Sequence, residues 1–285
     1  MTALVVDVLI TALWPLIGAA GLRDYGAVPF MSAGMALGAL SVLPWLALEG
    51  RWRRVVSGGA ARALALMGLF SAAPSLIYVI ALAYTTPVNA VILAQVEIVY
   101  SVIISAAALG EKPTLKQSLA SALVIGGTAL IVARDLRSPR WRGDLMILGS
   151  AWMYQVSHAI SKKLPRDLDS WTLAGGRLFY GALILAPAAA WALSRGARWS
   201  WAPGPLGTLA LEGVLACSAN IVLWYVALRG LDLSKATTIM LSYPAATLVF
   251  SWLWTHEPVA GVQVAGLAAT VGGAAWTARL AAQAS

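Results

Sequence analysis

Charged side chains are scarce in this sequence. Asp, Glu, Lys and Arg together make up 11% of 285 residues, against about 25% in an ordinary soluble domain. Cys217 is the single cysteine and there are two histidines, His158 and His256. One cysteine excludes an internal disulfide. No H-E-x-x-H pair, G-x-S-x-G elbow or Walker-type phosphate loop occurs. The sequence therefore offers no zinc-hydrolase or serine-hydrolase site and no direct coupling to ATP. An enzyme working on lipid needs paired carboxylates or histidines at an interface, and His158 and His256 are not placed for that. No catalytic residues, cofactor or metal is expected.

What fills the chain instead is apolar. Hydrophobic residues account for 60%, in about ten runs of roughly twenty, the length a helix needs to cross ~30 Å of hydrocarbon. The short alternating segments of a membrane β-barrel are missing, so helices remain as the way to satisfy the backbone in lipid. The predicted spans are 3–21, 27–48, a third that follows the basic link and ends near 83, a fourth that follows the break at Thr85-Thr86-Pro87 and ends at 109, a fifth that follows the turn at 110–113 and ends near 133, then 145–161, 170–193, 206–228, 234–254 and 259–278. The start, without a basic region or cleavage signal, is read as a retained first helix. The net charge of +8 is read as membrane-edge arginine and not as a nucleic-acid footprint. The expected partners are the lipid bilayer and a small-molecule substrate, with no nucleic acid, and a monomer suffices.

The chain also repeats. Residues 81–133 recur as 227–279 at a constant shift of 146 positions: Glu111 maps to Glu257, Gln117 to Gln263, and Gly126-Gly127 to Gly272-Gly273. The following proline slips by one place, Pro113 against Pro258. A repeat of half a chain is the first feature to explain. Five spans per half is an odd number, so equivalent spans cross in opposite directions. The expected fold is all-α and polytopic: ten transmembrane helices as two inverted five-helix repeats, 1–134 and 143–285, joined by a link at 135–142, around a central cavity. The Lys and Arg distribution favours both termini inside. The arginines Arg134, Arg137, Arg140 and Arg142 of the link run against that bias.

Gly110-Glu111-Lys112-Pro113 and Thr255-His256-Glu257-Pro258, each followed by the glutamine and the glycine pair, resemble the drug/metabolite transporter superfamily in its ten-helix EamA-type form. Tyr243-Pro244 fits that family's proline in helix 9, whereas Glu97-Ile98 at the counterpart position departs from it. The resemblance implies secondary transport of small metabolites, often export, across a bacterial inner membrane. Spans 1, 3, 4, 6, 8 and 9 would then surround the cavity, with spans 5 and 10 to one side. Overall similarity leans towards exporters of aromatic or other hydrophobic amino acids of the YddG type. Exporters of cationic drugs in the same superfamily are the alternative.

Polar residues deep in apolar spans mark a cavity better than the motifs do, because each is costly against lipid. Glu97 lies mid-way along span 4, and 100° per residue puts Asn89, Glu97 and Tyr100 in one sector, with Gln95 off it. Its carboxylate either serves a substrate ammonium or a coupling proton, or makes a structural bond, for example with Arg177. Span 6 carries Ser150, Tyr154, Ser157, His158 and Ser161 on one broad face, and Trp152 with Gln155 on another. His158 either exchanges protons near neutral pH or bonds between helices. Spans 3 and 8 contribute Tyr78 with Ser71 and Ser75, and Asn220 and Trp224 with Cys217; span 9 contributes Tyr243. The expected substrate-binding set is Tyr78, Gln95, Glu97, Tyr100, Trp152, Tyr154, His158, Asn220, Trp224 and Tyr243. Pro74, Asn220 and Pro244 mark helices loosened near the midplane. Glu111 and Glu257, each beside a proline at a helix start, are read as structural anions at the positive helix end. The glycine pairs are read as packing sites.

Overall fold

The computed structural model describes residues 2–57, 59–85, 90–91, 93–132, 141–165, 167–255 and 260–283. The His256-Glu257-Pro258 motif, Asn89, Pro87 and the link arginines other than Arg142 lie outside these. Among the described residues the chain is helical, with no strand. In order come α1 (Thr2–Asp24), α2 (Ala27–Leu48), the short α3 (Trp52–Val56) and α4 (Ala61–Ala81). Then follow α5 (Val96–Leu109), α6 (Leu115–Val132), α7 (Trp141–Ser150), α8 (Trp152–Lys163) and α9 (Ser170–Ser194). The last are α10 (Pro203–Leu228), α11 (Leu233–Met240), α12 (Tyr243–Thr255) and α13 (Gly261–Ala282). Five of them, α1, α2, α4, α9 and α10, are long and apolar enough to cross a bilayer. Large apolar side chains such as Leu40, Ile103, Leu183 and Val271 stand more than half exposed, which suits a protein whose outer solvent is lipid. Trp45, Trp141, Trp191 and Trp201 are likewise exposed, as expected of interfacial anchors. Trp199 and Trp52 are instead tucked in, edge-on to Tyr25 and Phe179.

Three helices end on glycines in the left-handed region: Gly50 after α2, Gly110 after α5 and Gly196 after α9. Without a Cβ these positions turn the chain at little steric cost. Asp169 opens α9, accepting from the amide of Thr172 at 3.0 Å, as an N-cap should.

Several spans are interrupted. The predicted sixth span is two helices, α7 and α8, broken at Ala151. The ninth is α11 and α12, broken at Leu241-Ser242, so Pro244 sits in the first turn of a new helix and not inside an old one, where its missing N–H costs little. A turn at Ala94-Gln95 precedes α5. In α10, residues Leu211–Ala219 are π-helical. The irregularity precedes Asn220 and is a local widening of the helix, unlike the predicted competition from the Asn220 side chain. Two of the breaks are bonded together: Gln95 Nε2 donates to the carbonyl of Leu241 at 3.0 Å.

α6 and α13 pack along much of their length through the second glycine of each pair. A Cβ on Gly127 would fall 2.5 Å from the Thr270 amide and 2.8 Å from the Gly266 carbonyl. A Cβ on Gly273 would fall 2.8 Å from the Ala120 carbonyl and 3.0 Å from the Val124 amide. As numbers rise on α6, their partners fall on α13, so the two helices run antiparallel. Gly126 and Gly272 meet nothing within 4 Å.

Glu111 is structural, but it serves a helix other than its own. Its carboxylate accepts from the amides of Leu233 and Ser234 at 2.8 and 3.3 Å, at the start of α11. It also pairs with Lys162 at 3.2 Å, both side chains being mostly buried. The natural cap, Asp232, is engaged with Lys235 at 2.6 Å. A carboxylate facing exposed amides at a helix N-terminus is stabilising. A second tie runs along the same pair of elements: Gln117 donates to Ser234 at 2.8 Å, and Ser121 meets Thr238 at 2.9 Å.

Two stability predictions follow from this packing. Gly127→Leu should lower the unfolding temperature in detergent, reflecting about 1–3 kcal/mol of overpacking, while Gly126→Leu, one residue away in open space, should melt like the parent. Glu111→Ala should cost about 1–2 kcal/mol by leaving the α11 amides and Lys162 without their anion. A double-mutant cycle with Lys162→Met should show coupling between the two positions, and strict additivity would mean the pair contributes nothing.

Candidate functional site

A cavity of about 130 Å³ lies between α1, α2, α4, α5, α8, α9, α10, α11 and α12, and the breaks at Ala94-Gln95 and Leu241-Ser242 reach its wall. That is far more than one water requires. Two aromatic pairs form parts of its wall. Trp14 of α1 stacks on Tyr78 of α4, ring centres 4.6 Å apart and 16° from parallel. Trp224 of α10 lies 4.7 Å from His158 of α8, and its indole Nε1 donates to His158 Nδ1 at 2.9 Å. An indole N–H only donates, so Nδ1 carries no proton and the ring's proton sits on Nε2. His158 is thus engaged between helices. The Tyr78 hydroxyl is buried with no partner among the described residues and faces the cavity as a donor or acceptor in waiting.

The polar lining is organised around one acid and one cation. Glu97 accepts from Gln155 Nε2 at 2.9 Å, and Gln155 Oε1 in turn accepts from Thr237 at 3.2 Å. Arg177 of α9 is buried, donates to the Tyr225 hydroxyl at 3.2 Å and lies 5.9 Å from that ring's centre. Among the described residues neither Glu97 nor Arg177 is in a salt bridge with the other. Both line the cavity, so a carboxylate and a guanidinium are available there to a guest. Ser75 meets the Tyr154 hydroxyl at 2.9 Å. Asn220 donates to Thr11 at 2.6 Å and to Asp7 at 2.9 Å. Tyr225, which anchors Arg177, also lines a second cavity of about 310 Å³ with Lys162, Leu168 and Arg229. Among the described residues no three His, Cys, Asp or Glu side chains converge as a metal site.

Of the ten expected residues, Tyr78, Glu97, Tyr154, His158, Asn220, Trp224 and Tyr243 line the cavity. Three do not. Gln95 is spent on the Leu241 carbonyl. Tyr100 is spent on the Leu148 carbonyl, to which its hydroxyl donates at 3.0 Å. Trp152 is 39% exposed, bonded to the Gly149 carbonyl and edge-on to Phe70, while Gln155, the residue grouped with it, is buried and donates to Glu97. Arg177 was visible as a cation inside a span yet was read only as a partner for Glu97. Asp7 and Glu212, both fully buried acids within spans, were passed over. The signal for all three was the same: an ionisable group where hydrocarbon penalises it.

A solved crystal structure superposes with a TM-score of 0.81 over 99% of this chain and 97% of its own, at 15% identity, which shows a shared fold. The uncharacterised transporter YoaV of Bacillus subtilis is 23% identical over 173 residues, 56% of each chain. A probable terminal-alkyne amino-acid exporter of Streptantibioticus cattleyicolor is 25% identical over 162 residues, 56% of this chain and 53% of its own. The chain thus spans about half the length of these curated relatives. The EamA-like transporter family matches residues 1–133 and again 141–279, nearly the whole sequence. A multi-pass helical protein that carries this match twice over is a member of the EamA-like transporter family.

Proposed function

We propose that this protein is a secondary transporter that exports amino acids with aromatic or other hydrophobic side chains across the bacterial inner membrane. It works by alternating access between two five-span halves of opposite orientation, 1–134 and 143–285, with both termini in the cytoplasm. The observation that carries this reading is the cavity itself: an acid and a cation without each other's company, on a wall shared with two aromatic pairs, where spans are interrupted. Glu97 suits an ammonium and Arg177 a carboxylate, while Trp14-Tyr78 and Trp224-His158 offer faces for an apolar or aromatic side chain. A relative named as an amino-acid exporter points to the same class. A buried guanidinium disfavours the alternative, a purely cationic drug.

Opposite orientation of the halves is supported by the α6–α13 contact. Under the shift of 146, Gly127 becomes Gly273, Ala120 becomes Gly266 and Val124 becomes Thr270. The contacts of Gly127 and Gly273 therefore exchange with one another, as a two-fold axis requires. Because the helices are antiparallel, that axis is perpendicular to them. Gln95 bonding Leu241, its own counterpart in the shift, is what a pair lying on such an axis would do.

Reconstitution in liposomes tests this. Labelled phenylalanine, leucine and a cationic dye are offered to the parent and to Glu97→Gln and Arg177→Met. Losing one charge-assisted hydrogen bond should weaken amino-acid affinity about 10- to 100-fold. Wild-type transport by both variants would remove Glu97 and Arg177 from the site, and dye transport in place of amino-acid transport would replace the substrate class.

A further inference from the structure

Beyond the cavity's own acid and cation, the seam between α1 and α10 buries two more carboxyls. Asp7 and Glu212 have no solvent exposure at all. They are arranged alike. One oxygen of each accepts a neutral donor: Asp7 Oδ1 from Asn220 at 2.9 Å, and Glu212 Oε1 from the Trp14 indole at 3.0 Å. The other oxygen of each, Asp7 Oδ2 and Glu212 Oε2, is buried with no hydrogen-bond partner among the described residues. Room for Glu212 is made by α2, where a Cβ on Gly34 would come within 2.7 Å of its Cγ.

Charge balance decides what these groups hold. Among the described residues the spans hold three deeply placed acids, Asp7, Glu97 and Glu212, and one deeply placed cation, Arg177. Among the described residues none of the three acids is in a salt bridge. An unpaired buried charge costs several kcal/mol even after relaxation. With one cation available among the described residues, the form in which two of the acids are neutral is the favoured one in this structure. Glu97 has a cavity-facing carboxylate, with Gln155 donating to it and Arg177 on the same wall. The elements around Glu212 bring no cation: α1 offers Trp14, α2 offers Gly34, and Cys217 lies 3.9 Å away on α10 itself. Around Asp7 stand Asn220 of α10 and Thr11 of α1, with Arg177 of α9 the charged group that bears on it.

Position then supplies the coupling. α1 and α10 run antiparallel, Asp7 meeting Asn220 and Trp14 meeting Glu212. The carboxyls are thus about 10 Å apart along α1, seven residues at 1.5 Å each. Neither lines the cavity, but the side chain bonded to each does, Asn220 for one and Trp14 for the other. A guest in the cavity touches the donors that hold both acids.

We propose that Asp7 and Glu212 are the proton-carrying groups of this transporter, and that proton movement is coupled to substrate exchange along the α1–α10 seam. The bare oxygen of each carries the proton. When the cavity opens to one side and water reaches the seam, the O–H bond breaks, the proton passes to water and a carboxylate remains. When it opens to the other side the carboxylate takes a proton from water, and the neutral acid is restored. No other reactant is consumed.

The proposal rests on the transporter reading above, and one experiment separates the two. Proteoliposomes with trapped pyranine receive an outward gradient of phenylalanine, and labelled phenylalanine and internal pH are followed together. The expected result is proton movement that starts with substrate flux and stops without it. Asp7→Asn and Glu212→Gln should keep phenylalanine counterflow, where no net proton need move, and lose at least 10-fold in pH-gradient-driven accumulation. Substrate flux in the parent protein with no linked proton movement overturns the proton assignment alone. Absence of any substrate flux sinks the transporter reading and this one with it. Variants that accumulate substrate against its gradient like the parent overturn the choice of these two residues. If a variant loses counterflow as well, proton movement in the parent still decides the coupling, and Asp7→Glu and Glu212→Asp, which keep the acid, should restore it.

Discussion

In hydrocarbon a polar side chain has no water to fall back on, so each one inside a span must find a protein partner or line a wet space. Much of this structure reads as the consequence. The hydroxyls of Ser71, Ser101, Ser150 and Thr277 turn back onto carbonyls of their own helices. Gln95 ties two helix breaks together, and Gln117, Ser121, Ser234 and Thr238 form a ladder between α6 and α11. Of the buried side chains with a polar atom left without a partner among the described residues, Tyr78 faces the cavity and Asp7 and Glu212 lie on the seam beside it, while Thr128, Trp199 and Thr270 lie away from it.

Repetition in the sequence does not translate into repetition of roles. Gln117 reaches across to Ser234. Gln263, its counterpart, accepts from the amide of Ala260 at 2.9 Å at the head of its own helix. Trp224 and Tyr78 are counterparts as well, and each packs on a ring from the first span of its own half, Trp224 on His158 and Tyr78 on Trp14. One pair is hydrogen-bonded and the other is stacked. Counterpart positions holding unlike side chains thus give the cavity two unlike aromatic pairs.

Helix positions and solvent were legible in the sequence because a span of about twenty apolar residues has few alternatives in lipid. α2 and α9 begin where the apolar runs begin. The breaks were less legible. No glycine or proline stands at Ala151, and the π-helical stretch of α10 begins at Leu211, ahead of the asparagine that drew attention. Spacing along a helix also does not say which carbonyl a side chain will find: Tyr100 is taken up by Leu148 and Trp152 by Gly149. Residues placed by chemistry fared better: Glu97 and Asn220 were singled out as polar groups in apolar runs, and both face the cavity. The same rule applied evenly to Asp7, Arg177 and Glu212 would have found them too. Glu111 shows the remaining gap, since its sequence neighbourhood names a helix start but cannot say that the helix it caps lies 122 positions away.

That cap has a mechanical side. The first amides of α11 are held by a carboxylate from the loop between α5 and α6, and the same carboxylate grips Lys162 at the end of α8. Three elements from distant parts of the chain therefore meet on two oxygen atoms. α11 supplies Thr237 and Met240 to the cavity wall, and α8 supplies Tyr154 and His158. A shift of either helix along its axis drags the clasp, so the pocket's lining at this end moves as one lever or not at all.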